Sequence, residues 1–334
     1  MSIAPNPSET DLSSRLSQLP VSIDDVRAAR ERIMGHLRRT PVLESVNLSS
    51  SSGYTVSFKA ENLQRTGSFK ARGALNALML LNDEQRARGV VTFSAGNHGA
   101  GLAFAASILG VSCSVFMAST AVQAKVDAIR NYGANVVFGE TINDALAAME
   151  RAIKEEGRTY LSPFDDRGVV AGQGVAGLEL LEDAPETDAI VVPMGGGGLI
   201  AGISLVVKSL RPEITVIGIE PEGAPTISKS LEAGHPVTLD SVSTIADGLA
   251  APFAGTVTQE IITACVDRVA LVSDQDIADA IAPILSRTKL LPEPAGAASF
   301  AGLINGKTGI PAGSRVVCLL SGGNISLDRL KAFL

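Results

Sequence analysis

From about residue 54 onward, short runs rich in β-branched residues alternate with longer stretches that carry apolar residues at helical spacing. That alternation is the pattern of a mainly parallel sheet covered by helices on both faces. Strands are predicted at 54–60, 90–94, 111–117, 134–138, 188–193, 214–220, 267–272 and 315–320, with helices between them. Ahead of the first strand, Ser22 followed by Asp25 has capping-box spacing, which predicts a helix running to about Arg38, with Pro41 marking its exit. The stretch 221–256 breaks the alternation and is expected to be irregular and close to a site. Residues 1–20 are polar and rich in Ser and Pro, and read as a loose tail.

Composition narrows the picture. A chain of 334 residues allows two domains or one large one. Although 46 % of the residues are apolar, no uncharged apolar run reaches the roughly 18–20 residues that span a bilayer. With 28 Lys plus Arg against 35 Asp plus Glu the net charge is −7, and no basic block offers phosphates a stripe, so neither nucleic acid nor membrane is an expected partner. Cys113, Cys265 and Cys318 sit singly inside apolar segments and read as reduced core residues. The histidines, His36, His98 and His235, form no HExxH or Cys/His cluster, so no metal site is expected. The first residues lack an apolar signal-peptide core, and the cytoplasm is the expected compartment.

In open α/β sheets, ligands bind beyond the carboxyl ends of the strands. Four strand-to-helix loops therefore hold the candidate chemistry. In residues 61–78, Ser68 reads as an N-cap that puts Lys70 in the first helical turn. The helix dipole, with Arg65 and Arg72 nearby, would push this amine toward its neutral, nucleophilic form, although most lysines near helix starts simply face solvent. The loop SAGNHG, 94–99, exposes successive backbone N–H groups at a helix start, an anion site suited to a carboxylate, with Asn97 as a further donor and His98 as a satisfied loop histidine. Four consecutive glycines at 195–198 let the backbone approach a phosphate, since a turn that only packs helix on strand rarely needs four. Ser321, in SGGN at 321–324, ends the last strand ahead of the last helix and can bond a ring nitrogen. A rival reading takes Gly196, Gly198 and Ala201 with Glu220 as a dinucleotide fingerprint, which alone would support an NAD-dependent oxidoreductase. It explains one loop of the four.

An activated lysine, a phosphate loop, an anion loop and a serine at a fourth strand end together describe a site for pyridoxal phosphate. The segments TGSFKARGA (66–74), SAGNHG (94–99), PFDDRGVVAGQG (163–174), GGGGL (195–199), TIADGLA (244–250), EPAGAA (293–298) and SGGN (321–324) resemble, in order, the threonine dehydratase and serine racemase family of fold type II pyridoxal-phosphate enzymes. The resemblance runs over nearly the whole chain from about residue 22. It implies an α/β, tryptophan synthase β-like fold of two doubly wound domains: residues 22–81 with 161–334 as a large cofactor-binding domain, and 82–160 as a small one, behind a flexible tail at 1–21. It also implies a homodimer.

The resemblance further implies roles for single residues. Lys70 would be the Schiff-base lysine and would take the Cα proton of the substrate, with Phe69 packed beside the cofactor. Asn97 would bond the ring 3′-oxygen, Gly195, Gly196, Gly197, Gly198 and Leu199 would bind the phosphate, and Ser321 would face the pyridine nitrogen. Ser94, Gly96 and His98 would hold the substrate carboxylate, chiefly through backbone N–H groups. The implied reaction is β-elimination from L-threonine or L-serine to a 2-oxo acid and ammonia, with serine racemase, threonine synthase and 3-hydroxyaspartate dehydratase as neighbouring readings and a catalytically silent cofactor-binding protein as a more distant one. Two departures matter. Ala95 stands where racemising relatives carry a second serine, and Thr226 stands where metal-binding relatives add a carboxylate to the pair Glu220 and Ala224. The chain ends soon after Ser321, so no appended regulatory domain is expected. Substrate choice is expected to reside in 163–174 and 221–256.

Overall fold

The computed structural model describes residues 9–334. Ten strands form two sheets: β1 (Val42–Glu44), β2 (Thr55–Lys59), β3 (Val90–Phe93), β4 (Cys113–Ala118), β5 (Asn135–Gly139), β6 (Thr159–Tyr160), β7 (Ala189–Pro193), β8 (Thr215–Pro221), β9 (Arg268–Val272) and β10 (Arg315–Leu319). The larger sheet has the order β1-β2-β10-β7-β8-β9 and the smaller β5-β4-β3-β6. All pairings are parallel except β1 on β2, where Val42 faces Lys59 and Glu44 faces Ser57. The eight predicted strands are all present within two residues of their expected bounds. The strands β1 and β6 were not anticipated, because runs of three and two residues are too short to show alternation.

Three further segments differ from expectation. Ser22 and Asp25 do form a capping box, but the helix spans only Ile23–Ile33, since Met34 leaves the helical region and Gly35 turns through a left-handed φ of 84°. Within the span expected to be a tail, Glu9–Ser17 is a helix, and Arg15 donates to the carbonyls of Thr263 and Ala264 while Val21 is fully buried. The tail expected at residues 1–8 lies outside the described residues. The stretch 221–256 holds a helix, Thr226–Ala233, and a 3₁₀ turn, Asp247–Leu249, amid otherwise irregular chain.

The smaller sheet is built from residues between Val90 and Tyr160, the larger from the chain on either side. The largest apolar cluster runs through both, joining Val90, Leu102 and Val115 to Val170, Ile190 and Ile203. Helices Lys70–Leu80, Asn97–Leu109 and Arg167–Asp183 form this shared seam. The close approach depends on missing side chains: a Cβ on Gly73 would meet Gln173 at 2.4 Å, and one on Gly101, in helix Asn97–Leu109, would meet the backbone nitrogen of Ala71 at 3.1 Å. The two sheets are thus joined by packed core and not by a loose linker. The three cysteines are buried and free, and burial pushes the thiols of Cys113 and Cys265 up to about 12. Among the described residues no helix is long and apolar enough to cross a membrane.

Candidate active site

The carboxyl ends of β2, β3, β7 and β10 open onto one cavity of about 700 Å³ between the sheets. All four predicted loops line it: Phe69 and Lys70; Ser94, Gly96, Asn97 and His98; Gly195 through Leu199; and Ser321. Parallel β2, β7 and β10 run side by side, so their loops emerge at the same edge.

Lys70 is the first residue of helix Lys70–Leu80. Its position is as expected, but its environment is not. Ser68 makes no cap, pairing instead through its backbone with Gly322, and the helix has no side-chain cap at all. Nor do neighbouring cations perturb the amine. Arg72 points the other way, into a buried ion cluster, and burial away from water lowers the Lys70 pKa to about 8. The Nζ atom donates to the carbonyl of Pro163 at 2.7 Å and lies 5.1 Å from the centre of the Phe69 ring. With no carboxylate partner, this amine is held ready to act as a nucleophile.

The glycine run owes part of its composition to packing, contrary to expectation. A Cβ on Gly196 would lie 2.2 Å from the Phe164 ring, and one on Gly195 would lie 2.9 Å from the Cα of Leu249. Gly197 turns through φ 88° to start helix Gly198–Leu210. Helical geometry leaves the first N–H groups of that helix without partners inside it, and Gly195 through Leu199 line the cavity. Such a helix start, the Lys70 amine and the Ser321 hydroxyl in one cavity fit a phosphorylated aldehyde such as pyridoxal phosphate. The Ser321 Oγ has only a long 3.4 Å contact, to the carbonyl of Ala295, and so is available to a ligand. SGGN does not open the last helix directly. That helix, Leu327–Lys331, starts after a further turn, with Ser326 as its cap.

In the loop 94–99, the Ser94 hydroxyl accepts from the N–H groups of Gly96 and Gly99, at 3.2 Å each, so it shapes the loop. His98 is buried and faces the Leu161 carbonyl through Nε2 at 3.1 Å. Burial, helped by the Lys70 charge, pushes its pKa down to about 3, so the ring is neutral and Nε2 carries the proton. The Asn97 amide donates to Glu293 at 2.6 Å and accepts from Asn324 at 2.8 Å, which fixes its orientation before any ligand binds.

Glu293 and Asn324 were missed as site residues. Both lie in segments quoted for the resemblance, EPAGAA and SGGN, but no spacing rule gave them a task. Also missed was an ion cluster at the cavity mouth, where Asp247 accepts from Lys125 at 2.8 Å and from Arg329 at 2.6 Å. Partial burial would raise the Asp247 pKa, but the two cations hold it well below the carboxylate range.

The dinucleotide reading fails at Glu220. Its carboxylate is fully buried and accepts from the N–H groups of Ile227 and Ser228 and from the Ser228 hydroxyl, at 2.7, 2.8 and 2.6 Å. It closes the start of helix Thr226–Ala233 and faces no ligand. Thr226 is likewise engaged, donating to the carbonyl of Ala251 at 2.6 Å. Among the described residues no group of three acidic, His or Cys side chains is placed to hold a metal ion.

Burial outweighs the three donors and raises the Glu220 pKa to about 7, from 4.5. The folded state therefore binds this proton more tightly than the unfolded chain. The linked stabilisation is complete below about pH 4.5 and declines as pH rises to about 7. Thermal melts of Glu220→Gln and the unmodified protein are expected to diverge between pH 5 and 7, the unmodified protein losing about 1–3 kcal/mol relative to the variant. Parallel pH profiles would contradict the assigned shift.

Comparison with known proteins agrees with this geometry. The family model described as pyridoxal-phosphate dependent enzyme matches residues 33–322. The L-threonine ammonia-lyase of Geobacter sulfurreducens is 45 % identical over 91 % of this chain and 76 % of its own length. The phenylserine dehydratase of Ralstonia pickettii is 43 % identical over 90 % of this chain and 92 % of its own. The solved structure of maize serine racemase superposes with a TM-score of 0.89 at 36 % identity, covering 93 % of this chain and 96 % of that one. A match along most of the sequence, together with the parallel sheets and the glycine cradle, leaves one conclusion: the chain belongs to the family of pyridoxal-phosphate-dependent enzymes and has their fold type II architecture.

Proposed function

We propose that this enzyme is a lyase that converts a β-hydroxy α-amino acid, L-threonine or L-serine in the first instance, into 2-oxobutanoate or pyruvate and ammonia. The observation that carries the reading is the placement of a carboxylate-free lysine amine, with its pKa near 8, in one cavity with the glycine cradle and the 94–99 loop. The similarity to the Geobacter relative, an L-threonine ammonia-lyase, points the same way.

Pyridoxal phosphate, when bound, supplies the electron sink that weakens the Cα–H bond. The remaining work falls to the chain. The N–H groups of Ala95, Asn97 and His98 would hold the substrate carboxylate, whereas that of Gly96, expected to share in this, is taken with that of Gly99 by the Ser94 hydroxyl, and neutral His98 adds no charge there. Lys70 would hold the cofactor through its amine, and that amine would take the proton from Cα and return it to the β-hydroxyl, which leaves Cβ as water. The enamine set free is hydrolysed to the 2-oxo acid and ammonia, so the water lost at Cβ is recovered in that step. Ser321 would offer the ring nitrogen a neutral hydroxyl, which, lacking a carboxylate's charge, would not hold that nitrogen protonated and would favour elimination over transamination. Asn97, held by Glu293 and Asn324, would bond the ring 3′-oxygen. The reading also includes a cytoplasmic homodimer with a small domain at 82–160, which light scattering and limited proteolysis check.

Racemisation needs a second proton donor on the opposite face of Cα. Ala95 lines the cavity at the family position of that donor and carries no proton to give. Incubated with L-serine, the unmodified protein is expected to release pyruvate without forming D-serine. Ala95→Ser is expected to introduce D-serine, since a placed acid or base is worth roughly 10²–10⁴-fold. Substantial D-serine from the unmodified protein would refute the elimination reading in favour of racemisation.

A further inference from the structure

We propose that the cavity selects β-hydroxy α-amino acids whose β-substituent is apolar and of aryl size. This rests on the elimination reading of the same site and adds the side chain that the site accepts. On one wall, Ile142, Leu146 and Met149 stand at i, i+4 and i+7 of helix Ile142–Glu156, which places them on a single face. Phe93, the residue before Ser94, belongs to the same apolar cluster as Leu146 and Met149, and Tyr160 lines the cavity with them and with Lys70.

Exposure at the mouth carries the argument further. Ile142 is 57 % exposed, Val122 58 %, Tyr160 39 % and Phe253 43 %, and all four line this cavity. Single exposed apolar residues are ordinary, but a group gathered around one opening marks a binding surface. Charge argues in the same direction. The charged side chains lining the cavity are Lys70, Glu293 and the trio Lys125, Asp247 and Arg329. Both cations of that trio are already paired with Asp247. A second substrate carboxylate, as in 3-hydroxyaspartate, would find no free cation there, and burying it unpaired is costly.

The test uses cofactor-loaded protein and calorimetry with L-phenylalanine, L-alanine and L-aspartate, none of which has a β-hydroxyl to eliminate. Phenylalanine is expected to bind at least about tenfold more tightly than alanine, with aspartate weakest, because even one methylene in an apolar pocket is worth about 10-fold or more. Leu146→Ser is expected to reduce the phenylalanine-to-alanine ratio severalfold. Ile142→Ser, at an exposed position, should shift it in the same direction without disturbing the core. Equal binding of phenylalanine and alanine would mean that the apolar rim serves only closure of the two lobes, and would overturn the proposal. So would tightest binding of aspartate, or a ratio unmoved in both variants. Oxo-acid release from 3-phenylserine and L-threonine separates the two levels of the account. The expected ranking without any release would uphold the pocket and sink the elimination reading, whereas release from threonine with the ranking reversed would sink the pocket alone.

Discussion

Lys70→Ala is expected to abolish 2-oxo acid release, with a loss of at least about 10³-fold, because the proposed mechanism asks one side chain for both the covalent anchor and the base at Cα. The loss should not reflect misfolding. The Lys70 amine makes one hydrogen bond, to Pro163, and its removal relieves the burial that lowers its pKa to about 8. Circular dichroism of the variant should therefore match that of the parent, while the lysine-linked absorbance of the cofactor disappears. The same pKa sets a pH dependence. Cofactor loading needs the neutral amine, so its rate in the unmodified protein should rise about tenfold per pH unit below pH 8 and level off above. A loading rate independent of pH from 6 to 8 would contradict the free, desolvated amine.

Arg72→Met is expected to be the most destabilising single change, costing about 3–5 kcal/mol. Arg72 lies two residues beyond Lys70 and is fully enclosed. It makes paired contacts with Glu61, at 2.8 and 2.9 Å, and with Glu179, at 2.8 Å through each of two nitrogens. Lys59 completes the cluster at 2.7 Å from Glu179, and Thr40 caps Glu61. Two buried cations thus balance two carboxylates. Burial alone would raise the Glu61 pKa, but the Arg72 charge and hydrogen bonds bring it below its ordinary value. Without Arg72, Glu61 would be left buried beside only Lys59, and the start of the helix that carries Lys70 would lose its tether. Urea denaturation followed by far-UV dichroism measures the loss. A midpoint within error of the parent would show that the cluster is not coupled to folding.

The parallel strands were legible because each is a buried run of β-branched residues bounded by turn residues, and that signal does not depend on distant parts of the chain. β1 and β6 carry no such signal. Their pairing is imposed by neighbours, as when Val42 finds Lys59 across an antiparallel edge. The lining of the candidate cavity was legible where local chain geometry marks it: Lys70 at a helix start, the 94–99 turn and the glycines 195–198. Burial was not legible. The sequence assigned the perturbation of Lys70 to Arg65 and Arg72, whereas its cause is enclosure among residues far away in the chain. Glu293 was invisible for the same reason, since its link to Asn97 spans 196 positions. The glycine run shows a third limit. A composition that reads as a phosphate loop is also what lets Phe164 pack against the cradle, and one sequence signal serves both demands.

The most direct test of the central claim is product analysis of cofactor-loaded protein incubated with L-threonine, with 2-oxobutanoate and ammonia measured together. The account predicts their appearance in equal amounts, with the remaining threonine still in its original configuration. Epimerised amino acid without oxo acid, or unchanged substrate alongside fully bound cofactor, would contradict it.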